Sequence, residues 1–189
     1  MSKVIVVGAG LAGSETAYYL AERGVQVTLV EMKPKKFTPA HESQNFGELV
    51  CSNSLKSNDC YANACGLLKE EMRKIGSLTM QAAEESKVPA GAALAVDRDK
   101  FSAFITEKLK NHKNITIVEE EITKIPSTDE QFVVIATGPL TSESLSEDIK
   151  NTFGGSLHFY DASAPIVSAE SIDTEHSFRG DRYGKGTGD

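Results

Sequence analysis

The residues of this chain best suited to bind or transform a small molecule begin with Gly8-Ala9-Gly10-Leu11-Ala12-Gly13. They follow the apolar run Val4-Ile5-Val6-Val7 and open an amphipathic stretch, and a second apolar run, Val27-Thr28-Leu29-Val30, ends on Glu31. Each residue type has a physical task. Gly8 permits a tight turn from strand to helix, Gly10 lets the backbone approach a pyrophosphate, and Gly13 lets the helix pack closely on the sheet. The helix N-terminus then faces phosphate oxygens with free N–H groups and the positive end of its dipole. Ala17 continues the small-residue seam, and Gly24 after Arg23 serves as a C-cap. Glu31, eighteen residues past Gly13, can accept hydrogen bonds from both ribose hydroxyls of an adenosine and would repel a 2′-phosphate. Strand, glycines, helix, strand and terminal acid in that order predict a βαβ unit for an adenine dinucleotide, either NAD or FAD.

The other reactive side chains are less organised. Cys51, Cys60 and Cys65 follow a C-x8-C-x4-C spacing with no nearby histidine, which argues against zinc and against a disulfide framework, so reduced thiols and no metal site are expected. A thiolate at Cys51 could serve as a nucleophile, and a buried structural role is open to the same residue. Ser52, Asn53 and Ser54 could donate to a ligand or bond their own backbone. Lys33, Lys35 and Lys36 could meet phosphate, but a short charged loop is read as solvated. His41, His112, His158 and His176 stand in unrelated contexts, make no Ser-His-Asp triad and are read mostly as surface residues. Gly180 to Thr187 imitates a phosphate loop, but its glycine-to-lysine spacing is one short and Gly186 replaces the required Ser or Thr, so a Walker motif is rejected.

Elements that would position these groups can be traced along the chain. Residues 34–58 are rich in Pro, Ser, Asn and Lys and predict a long functional excursion. Ala64, Leu67, Leu68, Met72 and Ile75 recur at helical spacing, which predicts a helix over 62–75, with Met72 in the core, ended by Gly76. A short helix over 82–87 and an extended segment over 92–96 follow, and Asp97 or Asp99 can cap a helix whose apolar face is Phe101, Phe104, Ile105 and Leu109. Ile115-Thr116-Ile117-Val118 is a strand. Phe132-Val133-Val134-Ile135 reads as a central parallel strand that delivers Ala136-Thr137-Gly138 to the sheet edge where α/β folds bind ligands. Residues 142–153 predict a helix and 157–160 a further strand.

With 189 residues and 40% apolar content, the chain can bury one core or slightly more than one. Its net charge of −7 argues against a general nucleic-acid-binding surface on this part of the chain. No apolar run approaches a membrane span and no signal peptide is evident, so no membrane partner and a cytoplasmic location are expected. The final residues, 179–189, hold four glycines and no closing element, which suggests a chain cut within a larger protein.

The order of a long excursion, a helix led by Asp97-Arg98, a strand at Ile115 and an Ala136-Thr137-Gly138 segment resembles the two-dinucleotide-binding flavoproteins, which implies FAD. A narrower resemblance rests on three blocks: Asn45-Phe46-Gly47-Glu48-Leu49-Val50-Cys51-Ser52-Asn53-Ser54-Leu55, Ala95-Val96-Asp97-Arg98, and Tyr160-Asp161-Ala162-Ser163-Ala164-Pro165-Ile166-Val167. Together they resemble the folate- and FAD-dependent tRNA (uracil-5-)-methyltransferases, as does the Arg182-Tyr183-Gly184-Lys185 terminus. The resemblance implies an α/β, Rossmann-like FAD/NAD(P)-binding fold with a central parallel sheet, residues 1–189 being the N-terminal segment of the FAD-binding domain. It further implies FAD as cofactor, methylenetetrahydrofolate and NAD(P)H as co-substrates, tRNA as partner, mainly through parts outside this chain, and Cys51 as a functional cysteine beside the flavin. Cys60 and Cys65 match nothing in that family and are expected to be small buried apolar residues. Two alternatives stand beside it: the related flavoprotein that modifies the tRNA wobble uridine, whose cysteine block differs, and a nucleotide-binding module without catalysis.

Overall fold

The computed structural model describes residues 3–129, 131–154 and 169–177. Its chain order is β1 (Lys3–Val7), α1 (Leu11–Glu22), β2 (Gln26–Glu31), β3 (Ser54–Ser57), α2 (Ala64–Lys74), α3 (Leu78–Glu85), β4 (Lys87–Val88), β5 (Ala93–Val96), α4 (Arg98–Lys110), β6 (Ile115–Glu119), β7 (Phe132–Ile135) and α5 (Glu143–Phe153). Four strands form a parallel sheet in the order β6-β2-β1-β7. The chain lays β2 and then β6 on one side of β1, and β7 on the other, so the order reverses beside β1. Such a switch point opens a crevice at the carboxyl ends of the strands. A small antiparallel sheet, β3-β5-β4, is built within the excursion between β2 and β6.

The core lies between the β1–β2 half of the parallel sheet and α1, α3 and α4. Val4, Val6, Val27 and Leu29 meet Ala17 and Ala21 of α1, Leu78 and Met80 of α3, and Phe101, Ile105 and Leu109 of α4. Those three α4 side chains are fully buried, each contributing about 1.5–3 kcal/mol of apolar burial, and Phe104 is partly buried beside them. Asp97 caps α4, its carboxylate accepting from the N–H groups of Asp99 and Lys100 at 3.1 Å.

Two expectations are corrected here, the start of the third helix and the place of β7. The third helix starts at Leu78, four residues ahead of the start expected from sequence, because its N-terminus is capped from another helix. Glu15 of α1 accepts from the Leu78 and Thr79 N–H groups at 3.0 and 2.9 Å and from the Ser77 and Thr79 hydroxyls at 2.8 and 2.7 Å. In α2, Met72 packs partly buried against the core, while Leu67, Leu68 and Ile75 are exposed. The helix instead turns Gly66 and Lys69 inward, because a side chain at Gly66 would sit 1.9 Å from the Asp59 carbonyl oxygen. The strand β7 is at the sheet edge among the described residues, and Phe132 is 70% exposed. The 157–160 strand, the Tyr160-to-Val167 block and the terminal residues from 178 lie outside the described residues. Among those described, no helix is long and apolar enough to cross a membrane.

Replacing Glu15 with Ala removes a charged acceptor from four donors, and an unfolding free energy lower by about 2–3 kcal/mol is expected in urea denaturation. Glu15→Gln should retain part of it. A loss under about 0.5 kcal/mol, ordinary for a surface change, would show that α3 does not depend on this cap.

Candidate dinucleotide site

The turn that joins β1 to α1 is shaped by contacts no side chain could survive. Gly8 has φ +96°, a conformation strained for L residues, and a Cβ on it would meet the Ala136 carbonyl oxygen at 2.8 Å. A Cβ on Gly13 would lie 1.8 Å from the Gly8 carbonyl oxygen and 3.3 Å from the Ala136 side chain. The ends of β1, α1 and β7 therefore converge on one another. Gly10 is different: its φ is −69° and an added Cβ would meet nothing within 4 Å among the described residues. It is the N-cap of α1 with no side-chain cap, which leaves first-turn N–H groups free to face a ligand.

Glu31 is buried at the end of β2 and grips the turn. One carboxylate oxygen accepts from the Ala9 N–H at 2.7 Å and the other from the Lys33 N–H at 3.0 Å. A carboxylate oxygen has a second lone pair, so both bonds leave acceptor capacity toward the cleft that Glu31 lines. Ala9 is tied on its other side as well, its carbonyl accepting from Gly47 N–H at 2.8 Å and from the Ser14 hydroxyl at 3.0 Å.

The cleft sits at the carboxyl ends of the parallel strands. Gly8, Gly10, Glu31, Ala136 and Thr137 line it, together with Lys33, Thr38, His41, Glu48, Glu120, Glu121 and Leu145. Of the residues singled out from sequence, these first five are brought together. Ala9 is buried behind the turn, Leu11 and Ala12 face outward from the first turn of α1, and Gly13 is packed under it. Gly138 opens a 3-10 turn, Gly138–Leu140, and is itself not among the cleft-lining residues. Cys51 is exposed on the segment between buried Leu49 and β3 and is not among the cleft-lining residues. Cys60 and Cys65 are half-buried free thiols, less enclosed than expected. Ser52 and Ser54 each accept from a nearby backbone N–H, and Asn53 donates to the Val96 carbonyl at 3.2 Å, so this trio serves its own backbone.

Lys33 was expected to be solvated and is instead 5% exposed. Its ammonium donates to the carbonyls of Ser43 and Asn45 at 3.0 and 2.6 Å and to the Glu48 carboxylate at 3.2 Å, pinning the excursion beneath the cleft. Burial pushes the Glu48 carboxyl up, but the N–H groups of Glu42 and Ser43 and the Lys33 ammonium override it and hold it below the usual carboxylate range. His41 is also partly buried rather than a surface residue. Its desolvation, reinforced by Lys33 and opposed by Glu48 and Glu31, lowers its pKa from 6.5. At the outer rim Lys36 pairs with Glu121 at 2.7 Å. Nothing in the aperiodic 34–48 segment marks His41, Thr38 or Glu48 in the sequence, because loop packing leaves no period to read. Glu120 and Glu121 are visible only as a charged continuation of β6.

A glycine turn at a switch point, an uncapped helix N-terminus and an acid at the end of β2 define a Rossmann-like dinucleotide-binding domain. Comparison with known proteins agrees and narrows the class. Residues 3–188 match the family described as Glucose inhibited division protein A, and the chain belongs to that family. It is 58% identical over 187 residues to the methylenetetrahydrofolate--tRNA-(uracil-5-)-methyltransferase TrmFO of Lactobacillus gasseri, covering 98% of this chain and 42% of that protein. The protein of the same name from Staphylococcus aureus is 55% identical over 184 residues, covering 97% of this chain and 41% of its own length. The chain thus spans about 42% of the length of the curated relatives it matches. Among solved structures, GidA of Aquifex aeolicus in its form I crystal superposes with a TM-score of 0.63 at 16% identity, over 80% of this chain and 31% of that one. A putative FAD containing monooxygenase from Photorhabdus luminescens gives 0.52 at 14% identity, over 81% of this chain and 43% of that one. These two share the fold.

The depressed Glu48 value has a consequence for acid stability. A carboxyl whose folded pKa lies below its ordinary 4.5 stabilises the fold above that pH, and the contribution is lost as pH falls through the folded value. Glu48→Gln should therefore flatten the acid limb of unfolding free energy as pH falls below the ordinary 4.5. An acid limb that is unchanged in the variant would contradict this.

Proposed function

We propose that this chain is the N-terminal segment of the FAD-binding domain of an enzyme that reductively methylates C5 of a T-loop uridine in tRNA, with methylenetetrahydrofolate as carbon donor and NAD(P)H as reductant. The observation that carries the cofactor is Gly10. Gly8 and Gly13 are explained by packing alone, whereas nothing among the described residues occupies the space beside Gly10, which supports a ligand approaching the backbone there. Glu31 supports an unphosphorylated adenosine ribose, since Glu120 and Glu121 line the same cleft and add to the repulsion of a 2′-phosphate. The substrate class is supported by the relatives at 55–58% identity, which bear the methyltransferase name.

FAD, when bound, would supply the electrons that convert a transferred methylene to methyl. The chain's own part is to hold it: α1 presents N–H groups to the pyrophosphate, Glu31 accepts from the ribose, and Ala136 and Thr137 keep the end of β7 slim beside it. Uracil C5 is a poor nucleophile until a thiolate adds at C6, and the activated one-carbon unit needs a reactive group near the flavin. We assign the flavin-side role to Cys51, whose thiol is exposed and whose surrounding block carries the family resemblance. Binding of tRNA falls mainly to parts beyond this chain, in keeping with its net charge of −7, and the cytoplasm is the compartment in which it acts.

Two measurements test the reading. Gly10→Ala in the full-length protein should leave stability within about 1 kcal/mol of wild type, the ordinary range for an N-cap change, yet weaken FAD binding at least about tenfold because a methyl enters the pyrophosphate path. Undiminished FAD affinity would remove the carrying observation. Methyl transfer from labelled methylenetetrahydrofolate to a T-loop transcript should fall by about 10²-fold or more in Cys51→Ala with FAD retained. Unchanged turnover would take Cys51 out of the mechanism.

A further inference from the structure

We propose that His41 contacts the adenosine half of the bound dinucleotide, donating a hydrogen bond from Nε2–H to one of its oxygens. This rests on the reading of the cleft as a dinucleotide site. The ring lines the same cleft as Glu31 and Gly10, on the side where β2 ends and where the acid for the adenosine ribose stands. Its other nitrogen is committed: Nδ1 is hydrogen-bonded to the Thr38 hydroxyl. That hydroxyl oxygen also accepts from the Ala40 N–H at 3.3 Å, and its own hydrogen can donate to Nδ1. In that arrangement the ring proton of a neutral imidazole is on Nε2. Among the described residues Nε2 has no protein partner, and no buried side-chain nitrogen or oxygen is left unsatisfied there, so Nε2 is open to solvent on a residue that lines the cleft.

The turn that carries His41 is fixed on every side. The His41 N–H donates to the Thr38 carbonyl at 3.3 Å, and Glu48 accepts from Glu42 and Ser43 N–H groups at 2.9 and 3.0 Å. Beyond them, Gly47 N–H bonds the Ala9 carbonyl within the glycine turn itself. A donor held this firmly relative to the glycine turn can bind without reordering its loop, the condition under which a single polar contact adds most to affinity. Lys33, Glu48 and Glu31 are the charged groups around the ring. Burial and the Lys33 charge keep it neutral at pH 7, so its tautomer decides what it can donate.

Fluorescence titration of the full-length apoprotein with FAD, and competition by ADP, tests the assignment. His41→Phe, which keeps the ring volume and loses both nitrogens, should raise the dissociation constants of FAD and ADP alike by about tenfold, the worth of one well-placed hydrogen bond. His41→Gln, which retains an Nε–H donor, should stay within about twofold of wild type, with apoprotein melting temperatures unchanged. Equal weakening in both variants, or unchanged affinity in His41→Phe, would overturn the proposal, as would weakening of FAD with ADP unaffected. Wild-type protein that takes up no FAD would overturn the dinucleotide reading along with it, whereas wild-type binding with an indifferent His41→Phe overturns the histidine contact alone.

Discussion

The approach of α1 to the end of β1, closer than any side chain at residue 13 allows, is the constraint on which the rest of this structure depends. With a Cβ at Gly13 1.8 Å from the Gly8 carbonyl oxygen, the helix could not start where it does. Ala17 and Ala21 would then lose their seat on the sheet, and the free N–H groups of the first turn would no longer face the switch point. The same contact sets the identity of Ala136 at the end of β7, whose side chain is 3.3 Å from that position. Small residues at three separated places in the chain thus answer to a single packing requirement, and the site inherits its shape from it.

From that turn the constraint passes to the excursion. Glu31 bonds Ala9 on one side and Lys33 on the other, Lys33 gathers the carbonyls of Ser43 and Asn45 with the Glu48 carboxylate, and Gly47 returns to Ala9. A segment without regular structure is held by a closed circuit of polar contacts across the cleft wall. The lysine is almost fully buried, and removing a partner from such a pair leaves an uncompensated charge, which costs several kcal/mol. Order in this loop comes from satisfied polar groups, with Phe46 and Leu49 as its apolar anchors.

Legibility in the sequence follows from how local each determinant is. The βαβ unit, the Asp97 cap, the α4 face and the strand at Ile115 rest on neighbours within one or two turns, and all form as read. The start of α3 is held by Glu15, sixty-odd residues away, beside a local Ser77 cap that accepts from the Met80 N–H. The apolar spacing in α2 gives the helix, but the close approach of Gly66 to Asp59, which sets its rotation, leaves no periodic mark. Phe132-Val133-Val134-Ile135 has the composition of an interior strand, yet among the described residues only β1 pairs with it. Among the cleft-lining residues, Gly8, Gly10, Glu31, Ala136 and Thr137 are readable from residue type and spacing. Lys33 and His41 are not, since their roles arise from burial in a loop that has no period.

The central claim is that the glycine turn and Glu31 hold FAD through its adenosine diphosphate half. Competition against FAD bound to the full-length protein tests it most directly, using flavin fluorescence as the readout. The expected result is that FAD binds stoichiometrically and is displaced by ADP, while FMN, which lacks the adenosine, does not compete. A protein that takes up no flavin, or one from which FMN displaces FAD and ADP does not, would contradict it.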